Sequence, residues 1–179
     1  MRGASRAACV LIALLAGACA PREIRPSLPE AEFELAGRLA ASFGGESFIG
    51  NLAWHHARSG DEMLITSPLG QGVARILRQG ETVTLSTAEP REYRAADAEL
   101  LTQQVLGFRL PLAGLADWVR ARPATDTQAL AEYSPDGRLL KLAQRGWTIE
   151  YLEYSGARPT RLRLIYPGIE LRLAISQWN

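Results

Sequence analysis

Period-two alternation runs through most of this chain and restricts its fold more than any other feature. Phe33, Leu35, Gly37, Leu39, Ala41 and Phe43 fall on one side of an extended segment, with Glu34, Arg38 and Ser42 on the other. The glycine pair 44–45 then turns the chain, and Phe48, Gly50, Leu52 and Trp54 repeat the pattern. Strand-like runs return in "MLITS", "GVARILRQ" and "TVTLST", and clear alternation in "GWTIEYLEY", "RLRLIY" and "IELRLAISQW". "LAEYSPDGRLLKLAQ" is a hairpin folded about Pro-Asp-Gly. The runs add up to about ten or eleven strands. No regular alternation of strand and crossover helix suggests a parallel sheet, so the chain is expected to be mainly β and antiparallel.

Two short amphipathic helices interrupt the strands. In "DAELLTQQVLG", Ala98, Leu101, Val105 and Phe108 share a side, Asp97 can cap the start and Gly107 can end the helix. In "LPLAGLADWVRARP", Leu112, Leu115, Trp118 and Val119 form the apolar side, with Pro111 near the start and Pro123 beyond the end. Such helices can cover the mouth of a curved sheet.

The N-terminus carries an address. Arg2 and Arg6 precede the apolar run "AACVLIALLAGA", which is short for a bilayer span and right for a secretory signal. It ends in "LAGAC", the bacterial lipoprotein pattern. Cleavage after Ala18 removes residues 1–18, and Cys19 takes diacylglycerol on its thiol and an acyl chain on its new amino group. Several acyl chains on one residue anchor stably where one alone does not. Residue 20 is alanine, whereas aspartate there is the usual inner-membrane retention signal, so the outer membrane is favoured. Cys9 leaves with the signal, so Cys19 has no disulfide partner. Residues 19–31 are the lipidated anchor and a tether containing Pro21, Pro26 and Pro29, and residues 32–179 are the domain.

Charge and motifs exclude several classes of function. Across 179 residues the net charge is +1, which leaves no electrostatic footprint for nucleic acid. His55 and His56 are adjacent on a strand and so point to opposite faces. One metal cannot readily take both. "GESFIG" misses the spacing of a nucleophile elbow, and "GQGVAR" lacks the third glycine and the helix of a dinucleotide site. Asp61, Glu62, Asp97 and Glu99 are expected in turns or at a helix start, capping or solvated. The expectation is a protein that is not an enzyme and has no cofactor or metal.

Two features call for a function. In "TSPLGQG", Ser67, Pro68 and Gly70 make a turn that sets Leu69 at an exposed tip, unless the side chain folds back on its own domain. The inward faces allow either a packed core or a sheet curved around an apolar cavity, which periodicity cannot separate. Leu35, Leu39, Phe48, Leu52, Trp54, Leu101, Val105 and Trp118 are the expected barrel interior and lid underside.

The order of segments resembles the outer-membrane lipoprotein receptor family LolB over nearly the whole chain. The segments are "LAGAC", "FELAGRLA", "FIGNLAWHH", "DEMLITSPLGQGVARI", "ADAELLTQQVLGFRLPLAGLADWVRARP", "GRLLKLAQRGWTIEY", "RPTRLRLIY" and "LRLAISQW". The related periplasmic carrier LolA has no lipidated cysteine, so Cys19 argues against that relative. The resemblance implies an unclosed antiparallel β-barrel of about eleven strands with a helical lid over a hydrophobic cavity. It also implies a monomer on the periplasmic side of the outer membrane. Such a protein accepts acylated lipoproteins from LolA and releases them into the phospholipid of the inner leaflet. In the family a leucine at a loop tip is needed for release, and Leu69 matches it. The alternatives are a lipid-anchored barrel that binds small apolar ligands without passing them on, and a structural lipoprotein with a filled core.

Overall fold

The computed structural model describes residues 31–88, 92–106, 110 and 112–179. The signal peptide, Cys19, the tether up to residue 30, Gly107, Phe108 and Pro111 lie outside the described residues. The chain forms β1 (Phe33–Phe43), β2 (Glu46–Ala57), β3 (Gly60–Thr66), β4 (Gly72–Gln79), β5 (Thr82–Thr87) and β6 (Glu92–Ala95). Helices α1 (Ala98–Leu106) and α2 (Leu112–Trp118) follow. The second half adds β7 (Ala129–Tyr133), β8 (Leu139–Gln144), β9 (Trp147–Ser155), β10 (Arg158–Tyr166) and β11 (Ile169–Trp178). All eleven strands belong to one antiparallel sheet in the order β6-β5-β4-β3-β2-β1-β11-β10-β9-β8-β7, and β6 and β7 are its two free edges. The sheet curls without closing, as expected. Strand β6 is the one the alternation does not single out, because "EYRA" is too short to show a period.

Alternation becomes an inside and an outside. Along β11, Leu171, Leu173 and Ile175 are buried while Arg172, Ala174 and Ser176 are exposed. The first and last strands join at the centre of the sheet, where Leu39 pairs with Leu173 and a bulge falls at Ala36–Gly37. Only glycine fits at the bulge: a Cβ on Gly37 would sit 2.3 Å from the Ala174 carbonyl oxygen.

One end of the curled sheet is sealed by rings and ion pairs. Phe33 stacks on His56 at 4.8 Å and meets Trp54 and Trp178 edge-on at 5.2 and 5.7 Å. Behind them Asp61, fully buried, accepts hydrogen bonds from the Trp54 indole at 2.9 Å and from His56 Nδ1 at 2.6 Å. Its other oxygen accepts from Arg78 Nε at 2.7 Å. Glu62, also buried, is paired with Arg75 at 2.6 Å. This corrects the expectation of solvated turn acids: the turn is Arg58–Ser59, and the two carboxylates lie one and two residues inside β3. Asp97 does act as a cap, its carboxylate accepting from the amides of Glu99 and Leu100 at 2.8 and 3.0 Å.

Burial alone would raise the Asp61 carboxyl, but the His56 hydrogen bond and the Arg78 charge outweigh it and hold the group below its ordinary value. A depressed carboxyl stabilises the fold above its unfolded pKa, and that stabilisation is lost as pH falls through the folded one. Asp61→Asn should therefore cost about 3–5 kcal/mol at neutral pH, because Arg78 is left without its buried counter-charge. The check is thermal unfolding against pH. The wild-type advantage should be full at pH 7 and shrink below about pH 4. A constant gap down to strong acid would show that the Asp61 charge is not the stabilising agent.

Candidate functional site

Above the sealed end, the concave face of the sheet and the two helices enclose a cavity of about 330 Å³. Among the described residues, every side chain lining it is apolar. From β1 and β2 come Leu39, Ala41, Phe43, Phe48, Leu52 and Trp54, and from β3 and β4 come Met63, Ile65, Val73, Ala74 and Ile76. Leu164, Leu171 and Leu173 line it from β10 and β11. Val105, Leu110, Leu115 and Val119, from the helices and their flanks, close the remaining side. The volume lies at the lower end of the roughly 300–1,000 Å³ of small-ligand pockets. With no polar lining side chain among the described residues to fix an orientation, such a cavity selects for hydrocarbon rather than for a particular headgroup.

Helix α2 is held at its C-terminal end by specific polar contacts. The Trp118 indole donates to Gln144 Oε1 at 2.8 Å, and the Tyr151 hydroxyl donates to the Trp118 carbonyl at 2.8 Å. Gln144 also accepts from the Ala124 amide and donates to the carbonyls of Ala124 and Thr127. Burial pushes the Tyr151 phenol well above its usual range, so it stays a donor. Arg120 reaches Glu32 at 3.5 Å and Asp117 at 3.2 Å while its guanidinium lies over the Phe33 ring. The Gln144 and Tyr151 bonds tie the C-terminal end of α2 to β8 and β9, and the Arg120 contacts tie it to the sealed end. Helix α1 lies against β5 and β6, with Leu101 beneath it.

The expected interior residues divide into two groups. Leu39, Phe48, Leu52, Trp54 and Val105 line the cavity together. Leu35, Leu101 and Trp118 are buried in the packed core and are not on the cavity wall. Leu39 and Leu35 share a strand face, and only position along the barrel separates lining from filling. Several lining residues were not singled out from sequence, including Met63, Ile65, Val73 and Leu171; their alternation was the only available signal.

Leu69 is 91% exposed, so its side chain does not fold back on the domain. The loop is a tight one. Gly70 N donates to the Ser67 carbonyl at 2.9 Å, Ser67 N donates to the Gln71 carbonyl at 2.8 Å, and Gly70 takes φ +86°. This is a three-residue hairpin loop with Pro68 first and glycine in the left-handed position. The legs of the hairpin are β3 and β4, and Ile65 and Val73 at its base line the cavity. The leucine tip thus stands at the cavity's own end of the barrel. The chain enters at the other end, where the Glu32 amide bonds to His56 O.

His55 and His56 do face opposite ways, His55 bonding Glu34 at 2.8 Å and His56 bonding Asp61. Among the described residues no group of three or more His, Cys, Asp and Glu is placed to hold a metal.

Comparison with known proteins places this architecture. A family model described as outer membrane lipoprotein LolB matches residues 31–178. A protein named outer-membrane lipoprotein LolB from Thiobacillus denitrificans is 41% identical over 169 residues, covering 91% of each chain. One of the same name from Azoarcus sp. is 39% identical over 181 residues, covering 96% of this chain and 93% of its own. Among solved structures, a DUF1329 family protein from Desulfovibrio piger superposes with a TM-score of 0.53 at 8% identity. It covers 84% of this chain and 86% of its own, a likeness of fold alone.

The cavity can be tested without any partner. An apolar fluorophore should bind the protein, and Val105→Glu should weaken binding at least about tenfold, or 1.4 kcal/mol. The substitution sets a carboxylate against hydrocarbon on the half-buried side of the lid, where the helix itself can persist. Unchanged binding with unchanged melting temperature would show that the fluorophore sits elsewhere.

Proposed function

The chain belongs to the outer-membrane lipoprotein LolB family, and on that premise we propose that it is a lipoprotein receptor. It is anchored through Cys19 to the periplasmic face of the outer membrane, accepts acylated lipoproteins from the carrier LolA, and releases them into the inner leaflet. It works as a monomer and without a cofactor. One observation carries the reading: an entirely apolar cavity is walled in part by the legs of a hairpin whose tip is a solvent-exposed leucine. Acyl chains suit such a cavity, and a leucine tip suits a bilayer.

The energetics are consistent with a passive relay. Transfer into the cavity runs downhill if it holds acyl chains more tightly than the carrier does, each tenfold in affinity being about 1.4 kcal/mol. Burying the Leu69 side chain in hydrocarbon contributes roughly 1.5–3 kcal/mol. That is too little to anchor the protein but enough to bias a tethered domain toward docking mouth-first. Geometry allows it as well. The seven residues of β3 lift the hairpin about 23 Å from the sealed end, where the chain enters. The thirteen residue steps from Cys19 to Glu32 can extend to about 45 Å. The anchor and Leu69 can therefore meet the same membrane.

Leu69→Glu should separate receiving from releasing. Stability should change by no more than about 0.5 kcal/mol, since the side chain packs on nothing. Uptake from loaded LolA should persist, while delivery into vesicles should fall, because a carboxylate opposes entry into hydrocarbon by a few kcal/mol. Following labelled cargo first onto the receptor and then into vesicles reads both stages. Normal delivery would mean that the tip is idle. The same assay on the unaltered protein separates a receptor from a lipid-binding protein that takes up free lipid and passes nothing on.

The anchor is tested by Cys19→Ala behind a cleavable secretory signal, which should yield soluble periplasmic protein that still accepts cargo. Flotation of that variant with outer-membrane vesicles at high salt would show that something other than lipidation holds the protein there.

A further inference from the structure

The Leu69 hairpin does not stand alone on the outer surface. Asn51, on the outward face of β2, donates from Nδ2 to the Ser67 carbonyl at 3.2 Å and so clasps the hairpin to β2. Two residues along the same face is Ile49, a large apolar side chain that is 57% exposed. Directly opposite Asn51 on β1 is Arg38, and opposite Ile49 is Ala40. Arg38 and Ile49 are therefore diagonal cross-strand neighbours on one face, within reach of a long side chain. Arg38, Asn51 and Thr66 also border the same groove on the outside of the sheet.

Arg38 differs from the other arginines on this face. Arg75 is paired with Glu62 at 2.6 Å, Arg161 with Glu153 at 2.9 Å, Arg163 with Glu170 at 2.7 Å and Arg172 with Glu170 at 2.5 Å. Arg38 is exposed and has no ion pair among the described residues. An uncommitted guanidinium beside an exposed isoleucine, both next to a leucine-tipped hairpin, matches the boundary layer of a bilayer. There, apolar groups sink below the headgroups while a cation meets phosphate oxygens.

We propose that Ile49 and Arg38 form a second contact with the phospholipid surface, a shoulder beside the Leu69 tip. Ile49 enters the acyl boundary and Arg38 binds the anionic headgroup phosphates. One contact fixes how far the domain approaches the bilayer, and two fix its rotation, turning the cavity mouth toward the leaflet that receives the cargo. The inference rests on the reading that the Leu69 hairpin meets the membrane.

The test uses the full-length lipidated protein reconstituted in vesicles, of phosphatidylcholine alone or mixed with phosphatidylglycerol, and loaded from LolA. Anionic lipid should accelerate delivery of labelled cargo by the wild type. Arg38→Gln should abolish that acceleration, and Arg38→Lys should restore most of it, since phosphate accepts either cation. Ile49→Ser should slow delivery about threefold or more on both compositions. Uptake from LolA and the melting temperature should be unchanged in all three. Delivery by Arg38→Gln and Ile49→Ser at wild-type rates on both vesicles would overturn the shoulder while leaving the tip in place, provided that Leu69→Glu fails to deliver beside them. Normal delivery by Leu69→Glu would overturn the tip and the shoulder together. Slowed uptake by Arg38→Gln would assign this face to the carrier protein instead, and would also overturn the proposal.

Discussion

An antiparallel sheet of eleven strands that curls but does not close has an apolar concave face wider than its own side chains can fill. Two short helices must cover that face, and everything else in the structure follows from how they do so. They bring too few residues to fill the trough. The part next to Trp118 packs solid, and the part under Val105 and Leu115 stays hollow. What holds the C-terminal end of α2 is polar: Gln144 and Tyr151 bond Trp118, and the Glu32–Arg120–Asp117 chain ties the helix beside Phe33.

The molecule therefore has a direction. The entering chain, the C-terminal residue and the Asp61 network lie at the closed end. The hairpin of Leu69 stands at the other, its legs forming part of the cavity wall. Buried charge is costly unless fully paired, and here each acid of the closed end has its arginine or histidine. That end is stiff, polar and specific. The hollow end is lined by apolar side chains, the condition for admitting hydrocarbon of varying shape. The division of labour along the barrel is a division between hydrogen bonding and dispersion.

Much of the fold was legible in the sequence because strand alternation is a local property. Each inward residue of β1, β2 and β11 could be read from its neighbours two positions away, and the hairpin at 134–138 from Pro-Asp-Gly. Asp97 could be read as a cap for the same reason. Strand β6 escaped because four residues carry no period. Asp61 and Glu62 were misread because turn formers and strand share a boundary: a shift of one or two residues moves a carboxylate from solvent to a buried network. Nothing near Asp61 in sequence announces Arg78, which reaches it across a neighbouring strand. The cavity was legible as a possibility, and its lining only in part. Leu35 and Leu39 have the same residue type, strand and face, yet one is core and the other is wall.

By itself, the sequence determined the class of sheet, the number of strands to within one, the helices that cover it and the turn that displays Leu69. These are set by backbone propensity and by side-chain period, both of which act within a few residues. Only the tertiary structure decided that the barrel is hollow at one end and solid at the other, that the acids beside the β2–β3 turn are buried, and that Arg38 and Ile49 flank the Leu69 hairpin. Those outcomes depend on which strands become neighbours and how far along each other they are shifted. Packing sums contributions from residues distant in sequence, and no short stretch of the chain contains that sum.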